Sequence, residues 1–183
     1  GVAFALALSS YAPEDSAWIS AGGPEIQNWL GQMGAIVAAP LIKIMGLGSW
    51  GIPLTFVAWG LRLIAHRGAD RMVMRLIYAP IFWALCSLYA ATLTPISSWS
   101  HSFSMGGLFG DTVLFMILQV LPGSVTLGAN IVALVLGALV LILGGYVTGL
   151  IFGEIKTFFR IVSLLVSRLI LALVFVLMRG WSG

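Results

Sequence analysis

Residues 131–152 read IVALVLGALVLILGGYVTGLIF, twenty-two positions without a charge, an amide or a proline. About 20 such residues cross the ~30 Å hydrocarbon layer of a bilayer as a helix. Lipid offers a polar backbone no partners, so a run of this kind closes its own hydrogen bonds as a helix. Two further stretches behave alike: LGSWGIPLTFVAWGLRLIA at 47–65 and LIYAPIFWALCSLYAATLTP at 76–95. The segment between them, 66–75, is a tight turn with Arg67, Asp70, Arg71 and Arg75, and Arg62 stands just before it. By contrast 11–30 holds Glu14, Asp15 and Glu25, and 96–130 holds Asp111 and His101, with no Lys or Arg in either. Lys156 and Arg160 follow the last span. Basic residues stay on the cytoplasmic side, so 66–75 and the C-terminal region are expected inside, and 11–46 and 96–130 outside.

The totals agree with an integral membrane protein. Of 183 residues 60% are hydrophobic and 8% charged, with a mean hydropathy of +1.08. Soluble domains carry about 25% charged residues. The net charge of +3 is accounted for by the inner flanks and gives no sign of a nucleic-acid surface. The single Cys86 rules out a disulfide framework. Trp18, Trp29, Trp50, Tyr78, Trp99, Tyr146 and Trp181 fall near expected span boundaries, where amphipathic rings settle.

The expected class is all-α and polytopic. Residues 1–160 form a four-helix membrane domain with spans at about 1–10 (partial), 47–65, 76–95 and 131–152. Residues 1–10 are read as the outer half of a truncated first helix in preference to a signal-peptide remnant. Pro40 is expected to interrupt 25–45, because a mid-helix proline removes a hydrogen bond and clashes with the preceding turn. With Lys43 following, that piece reads as a broken helix at the outer interface. The apolar run 112–121 is too short to cross and reads as a second interfacial or re-entrant helix, with Asp111 as its cap. Gly145 and Gly149 form a GxxxG pair that permits close helix approach. The apolar stretch 161–183 is a C-terminal helix, either amphipathic on the inner leaflet or a further span with Arg168 near its centre.

No catalytic, cofactor-binding or metal-binding residue is expected, and no cofactor. His66 and His101 lie on opposite sides in this topology and cannot share a metal. No GxxxxGK[ST] phosphate loop occurs, so the chain cannot hydrolyse ATP by that route. Asp70 pairs locally with its arginines. The arginine turn sets topology, or also binds anionic lipid headgroups.

The loops are more specific than the spans. Ser10, Tyr11, Pro13, Asp15 and Trp18, then Asn28, Gly31, Gly34 and Ala35, then Gly48 and Pro53, occur in the order seen in the N-terminal four-helix domain of FtsK/SpoIIIE-type DNA translocases. GGLFGD at 106–111 and Gly128-Ala129 before the last span also resemble that family. The resemblance covers the chain to about residue 160. Two departures are the incomplete first helix and the long apolar stretch 161–178. The resemblance implies a non-catalytic anchor and assembly module in a bacterial inner membrane. It would serve septum targeting and chromosome partition, with both outer loops periplasmic. It also implies a homo-oligomer that contacts the lipid bilayer and other membrane or division proteins, and meets DNA only through a cytoplasmic motor outside this sequence. The competing expectation is an accessory structural subunit of another membrane complex, such as a respiratory or photosynthetic one. A transporter is disfavoured, since no confidently assigned span carries a mid-depth charge.

Overall fold

A computed structural model describes residues 1–17, 25–66, 72–97, 99, 101–120 and 125–150. The expectations for Trp18, Arg67, Asp70, Arg71, Lys156, Arg160, Trp181 and the stretch 161–183 lie outside them. Among the described residues six α-helices occur: α1 (Val2–Ser9), α2 (Gly31–Met45), α3 (Gly51–Ile64), α4 (Met72–Ala91), α5 (Gly107–Val120) and α6 (Val125–Thr148). A 3-10 turn, Gly46–Trp50, joins α2 to α3. The protein is all-α and polytopic. Among the described residues three stretches have the length and apolarity to cross a membrane, namely Gly31–Ile64, Met72–Ala91 and Gly128–Thr148.

The 20 residues of α4 give it a length of about 30 Å. It is the central helix, packed along α6 and α5, against the 3-10 turn, and more lightly on α3. The α4–α6 contact is a seam of aromatic rings and glycines. Phe82 and Tyr89 stand seven residues apart on α4, and Gly144 and Gly137 stand seven apart on the antiparallel α6. A Cβ on Gly144 would come 2.7 Å from the Phe82 ring, and one on Gly137 would come 3.2 Å from the Tyr89 ring. Ala79, Phe82 and Val147 are buried together, with Trp59, Cys86 and Val140 around them. Between lipid-solvated helices apolar burial gives little driving force, so close packing and interhelical hydrogen bonds hold the contact. Trp59 Nε1 donates to the Val147 carbonyl at 2.7 Å, tying α3 to α6. Trp83 Nε1 donates to Thr55 Oγ1 at 3.1 Å, tying α4 to α3.

The GxxxG pair has a different role from the one its spacing suggests. A Cβ on Gly145 would meet nothing within 4 Å, while Gly149 has φ +77° and ends α6. The contact face lies one step round the helix, at Gly137 and Gly144.

Pro40 does not break α2, which runs unbroken through it from Gly31 to Met45. One missing N–H removes one bond of the ladder, and buried Gly34, Ala35, Ala38 and Ala39 before it and Ile42 after it hold α2 on both sides. The break falls at Gly46, with φ 57° and ψ −135°, a conformation that favours glycine. There the chain leaves α2 and enters the turn and α3. The turn and α3 together cover about 31 Å at ~2.0 and ~1.5 Å per residue. Helix α1 is about 12 Å long. It lies beside α3, with Phe4 stacked on Phe56 at 5.7 Å and Gly1 against Val57.

Around the bundle Ile64, Leu134 and Leu141 are each 76% exposed. Water would penalise such a surface, whereas acyl chains solvate it.

Candidate functional site

Helices α3 and α4 meet α6 at an end marked by Arg62 and Arg75, which lie beside Gly149. At the opposite end, α1 finishes, α2 begins, and α5 packs on α2 and α4. The residues singled out in the loops converge there into two hydrogen-bonded clasps.

The first clasp closes the 11–30 loop. Asp15 is 2% exposed. Its Oδ1 accepts from the backbone N–H of Gln27 at 2.7 Å, and its Oδ2 from that of Asn28 at 3.0 Å. Asn28 is also buried, and its Nδ2 donates to the carbonyls of Ala7 at 2.9 Å and Ser10 at 3.3 Å. Its Oδ1 accepts from the Leu30 N–H at 3.1 Å. Ser10 Oγ donates to the Leu6 carbonyl at 2.7 Å and accepts from the Trp29 N–H at 3.0 Å. The last turn of α1 is thus bound to the approach to α2 by side chains alone. Beneath it Ala7, Leu8, Ala38 and Ile42 form the apolar contact of α1 with α2, flanked by Tyr11, Leu41 and Phe103. Gly31 has φ +63°, and a Cβ on Gly34 would fall on the Asn28 amide. Those two glycines of the motif are therefore required by the clasp geometry.

The second clasp orders the start of α5. Asp111 accepts from the Ser104 N–H at 3.0 Å through Oδ2, and from the Ser104 hydroxyl through Oδ1. Ser104 Oγ accepts from the Gly106 N–H at 3.1 Å. Asp111 is therefore no cap near Thr112. The helix begins five residues earlier, at Gly107, and Asp111 reaches back from inside it. The sequence reading missed this because Gly107 and Gly110 look like loop. They are glycines because α4 and the 3-10 turn press on them. A Cβ on Gly110 would sit 2.6 Å from the Ser87 carbonyl, and one on Gly107 2.5 Å from the Gly46 N–H.

The clasps are joined. Ser87 Oγ on α4 donates to the Gly106 carbonyl at 2.6 Å, and the Leu47 N–H donates to the Met105 carbonyl at 2.7 Å. A Cβ on Gly46 would collide with that Met105 carbonyl, and one on Gly48 with the Ser87 backbone. Above lies a ring cluster. His101 stacks on Phe103 with centroids 5.1 Å apart, meets Trp99 at 4.7 Å, and faces Tyr11 of the other loop at 5.8 Å. Trp99 Nε1 donates to the Phe103 carbonyl at 2.8 Å. Burial holds the His101 pKa below the usual imidazole value, favouring the neutral ring. Burial, and then the charge of Asp15, raise that of Tyr11.

Among the described residues no group of three or more His, Cys, Asp or Glu is placed to hold a metal, and His66 sits at the far end, closing α3 with φ 53°. One cavity, about 570 Å³, is an open apolar groove lined by Trp50, Leu54, Val57 and Tyr89. Among the described residues of this end no nucleophile, base and oxyanion donor come together. What the arrangement does is fix two loops as one shaped surface, edged by the exposed Trp29 and Met33.

The family model describing the 4TM region of DNA translocase FtsK/SpoIIIE matches residues 1–155. The DNA translocase FtsK of Caulobacter vibrioides is 32% identical over 141 residues, which cover 74% of this chain and 17% of that protein. That of Bradyrhizobium diazoefficiens is 35% identical over 114 residues, covering 59% and 13%. That of Mesorhizobium japonicum is 29% identical over 151 residues, covering 82% and 14%. The chain thus spans about a sixth or less of these three relatives. No solved structure matches.

Proposed function

The chain belongs to the family of the 4TM region of FtsK/SpoIIIE DNA translocases, and from that premise we propose that it is the non-catalytic membrane anchor and assembly domain of a cell-division DNA translocase. It is a multi-pass domain of the inner membrane. The observation that carries the reading is the correspondence between motif and geometry. Ser10, Asp15, Asn28, Gly31, Gly34 and Gly48 each serve the loop end of the bundle. A domain whose specific residues build a shaped loop surface fits an assembly role. The family match also supports this reading over an accessory subunit of a respiratory or photosynthetic complex.

The loop end faces the periplasm and the arginine end the cytoplasm. Among the described residues Glu14, Asp15, Glu25 and Asp111 all stand at the loop end, while Arg62 and Arg75 meet at the other. In that orientation α6 ends on the side where a DNA motor works. The partners at the loop end are division proteins and further copies of the domain.

Two experiments test this. A fluorescent fusion of the chain is expected to gather at the division plane, and even fluorescence around the cell would remove septal targeting. In a Cys86→Ala background, Ser16→Cys and Ser102→Cys are expected to react with an impermeant maleimide in intact cells, and Ala69→Cys is not. Reaction at position 69 alone would invert the topology.

A further inference from the structure

The apolar groove of about 570 Å³ runs between α3 and α4, with Ala5 of α1 at one edge and Val140 of α6 at another. Leu47, Trp50, Leu54 and Val57 make its first wall. Their spacing of three and four residues puts them on one side of the 3-10 turn and α3. Phe82, Cys86 and Ala90 make the second wall, along α4 at the same interval. Because α3 packs only lightly on α4, the two walls stand apart. They close at mid-depth, where Trp83 reaches Thr55 and Trp59 reaches the Val147 carbonyl. Those bonds draw α3, α4 and α6 together and end the groove there.

Its dimensions select what can occupy it. From Leu47 to Val57 the wall measures about 16 Å, at ~2.0 Å per residue in the turn and ~1.5 Å in α3. That is the depth of one leaflet, half of the ~30 Å hydrocarbon layer. Spread along this length, 570 Å³ leaves a cross-section of about 36 Å². A helix with its side chains is at least ~10 Å across and needs roughly 80 Å². A neighbouring helix is therefore too wide, and a single hydrocarbon chain is not. The mouth also continues the lipid-facing surface of the bundle, since Leu54 is 57% exposed and Trp50 41%. Trp50 stands toward the loop end, where indole rings settle at headgroup depth.

We propose that this groove is a binding site for one acyl chain of a phospholipid in the leaflet at the loop end. This goes beyond the anchor reading and requires only that the protein sits in a membrane. The acyl chain enters beside Trp50, lies along α3 and stops at Phe82. Lipid on an open helix face is touched from one side. A chain in the groove has α3, α4 and α6 around it and gains dispersion contacts from all three. It fills the space that side chains leave between α3 and α4, so the hold on the loop-end half of α3 is completed by lipid.

The test uses the intact protein in a neutral detergent with added palmitoyl-oleoyl phosphatidylcholine, and counts retained lipid by native mass spectrometry. One phospholipid per protein chain is expected to survive activation that strips the rest. Phosphatidylglycerol with the same acyl chains is expected to be kept equally. Cys86→Phe fills the groove from its α4 wall, and retained lipid is expected to fall at least threefold. Leu141→Phe, on an exposed face of α6, is expected to keep it. No lipid on the parent protein, an undiminished count in Cys86→Phe, or an equal fall in Leu141→Phe would each overturn the site. Retention of phosphatidylglycerol alone would assign the binding to a headgroup and overturn the acyl-chain reading. If Cys86→Phe does not fold, Leu54→Trp fills the groove from its mouth and is held to the same threefold fall. Cys86 is the single cysteine of the sequence, so a disulfide-linked dimer forming in high yield on oxidation in the membrane would put a second copy at the groove and overturn the proposal.

Discussion

The loop end and the α4–α6 seam are both tightly packed, but different forces hold them. At the loop end, buried Asp15, Asn28 and Ser87 make directional bonds to backbone groups of distant segments, and Asp111 reaches back to the Ser104 N–H. In the seam, two rings enter two gaps left by glycine, and few polar atoms take part. Water and headgroups compete for loose backbone groups at the loop end, so order there needs hydrogen bonds with fixed partners. In the hydrocarbon layer those groups are already inside helices, and fit between surfaces is what discriminates one neighbour from another. The recognisable motif residues gather where bonds must be specific.

The largest test of this contrast is Gly46→Val. It adds a β-branched side chain at positive φ against the Met105 carbonyl. Left-handed strain and overpacking together are expected to cost about 2–5 kcal/mol, read as a fall in the unfolding midpoint in detergent. A loss below ~1 kcal/mol would mean the two loops are not locked together there. Next is Asp15→Ala, which strands the N–H groups of Gln27 and Asn28. A loss of about 2–3 kcal/mol is expected, with faster hydrogen exchange at those two amides and none at the seam. Exchange rising equally in α4 and α6 would merge the regions the comparison separates. Third, Gly144→Ala is expected to lower stability by about 1–2 kcal/mol by pressing on Phe82, while Gly145→Ala stays within about 0.5 kcal/mol of the parent or gains. Equal losses would return the contact to the GxxxG pair.

The smallest expected effect is of pH. His101 has its folded pKa lowered by burial. The unfolded chain then binds its proton first, so stability is held above about pH 6.5 and declines as pH falls toward the depressed folded value. His101→Phe is expected to flatten that decline in midpoints measured between pH 8 and pH 5. The seam, with no group titrating in this range, is expected to respond to neither change.

Much of the fold was legible because hydropathy is a property of single segments. The spans around 47–65, 76–95 and 131–152 follow from apolar length alone. What failed to show was pairwise. Pro40 looks like a break until Gly46 is seen to provide one. Gly107 and Gly110 look like loop until Ser87 is placed against them. Gly145 and Gly149 have the familiar spacing, while the working pair, Gly137 and Gly144, is recognisable only beside Phe82 and Tyr89 at the same interval. The loop motif was visible as an ordered set of residues, but nothing in the order says that Asp15 reaches Gln27, or that Asn28 reaches back to Ala7.

The bond from Leu47 to the Met105 carbonyl also sets a timetable for biogenesis. Its two ends are 58 residues apart in the chain, a gap of roughly 3–12 s at about 5–20 residues per second of synthesis. Residues 11–46 therefore emerge and wait with one wall of their final setting unmade, until α3 and α4 have entered the membrane as a hairpin and the 96–107 segment has followed. Gln27 and Asn28 can close on Asp15 during that interval, but Gly46 cannot settle. Slow membrane insertion of α4 would prolong the exposure of the first loop to proteases on the side it has reached, although no residue of that loop had changed.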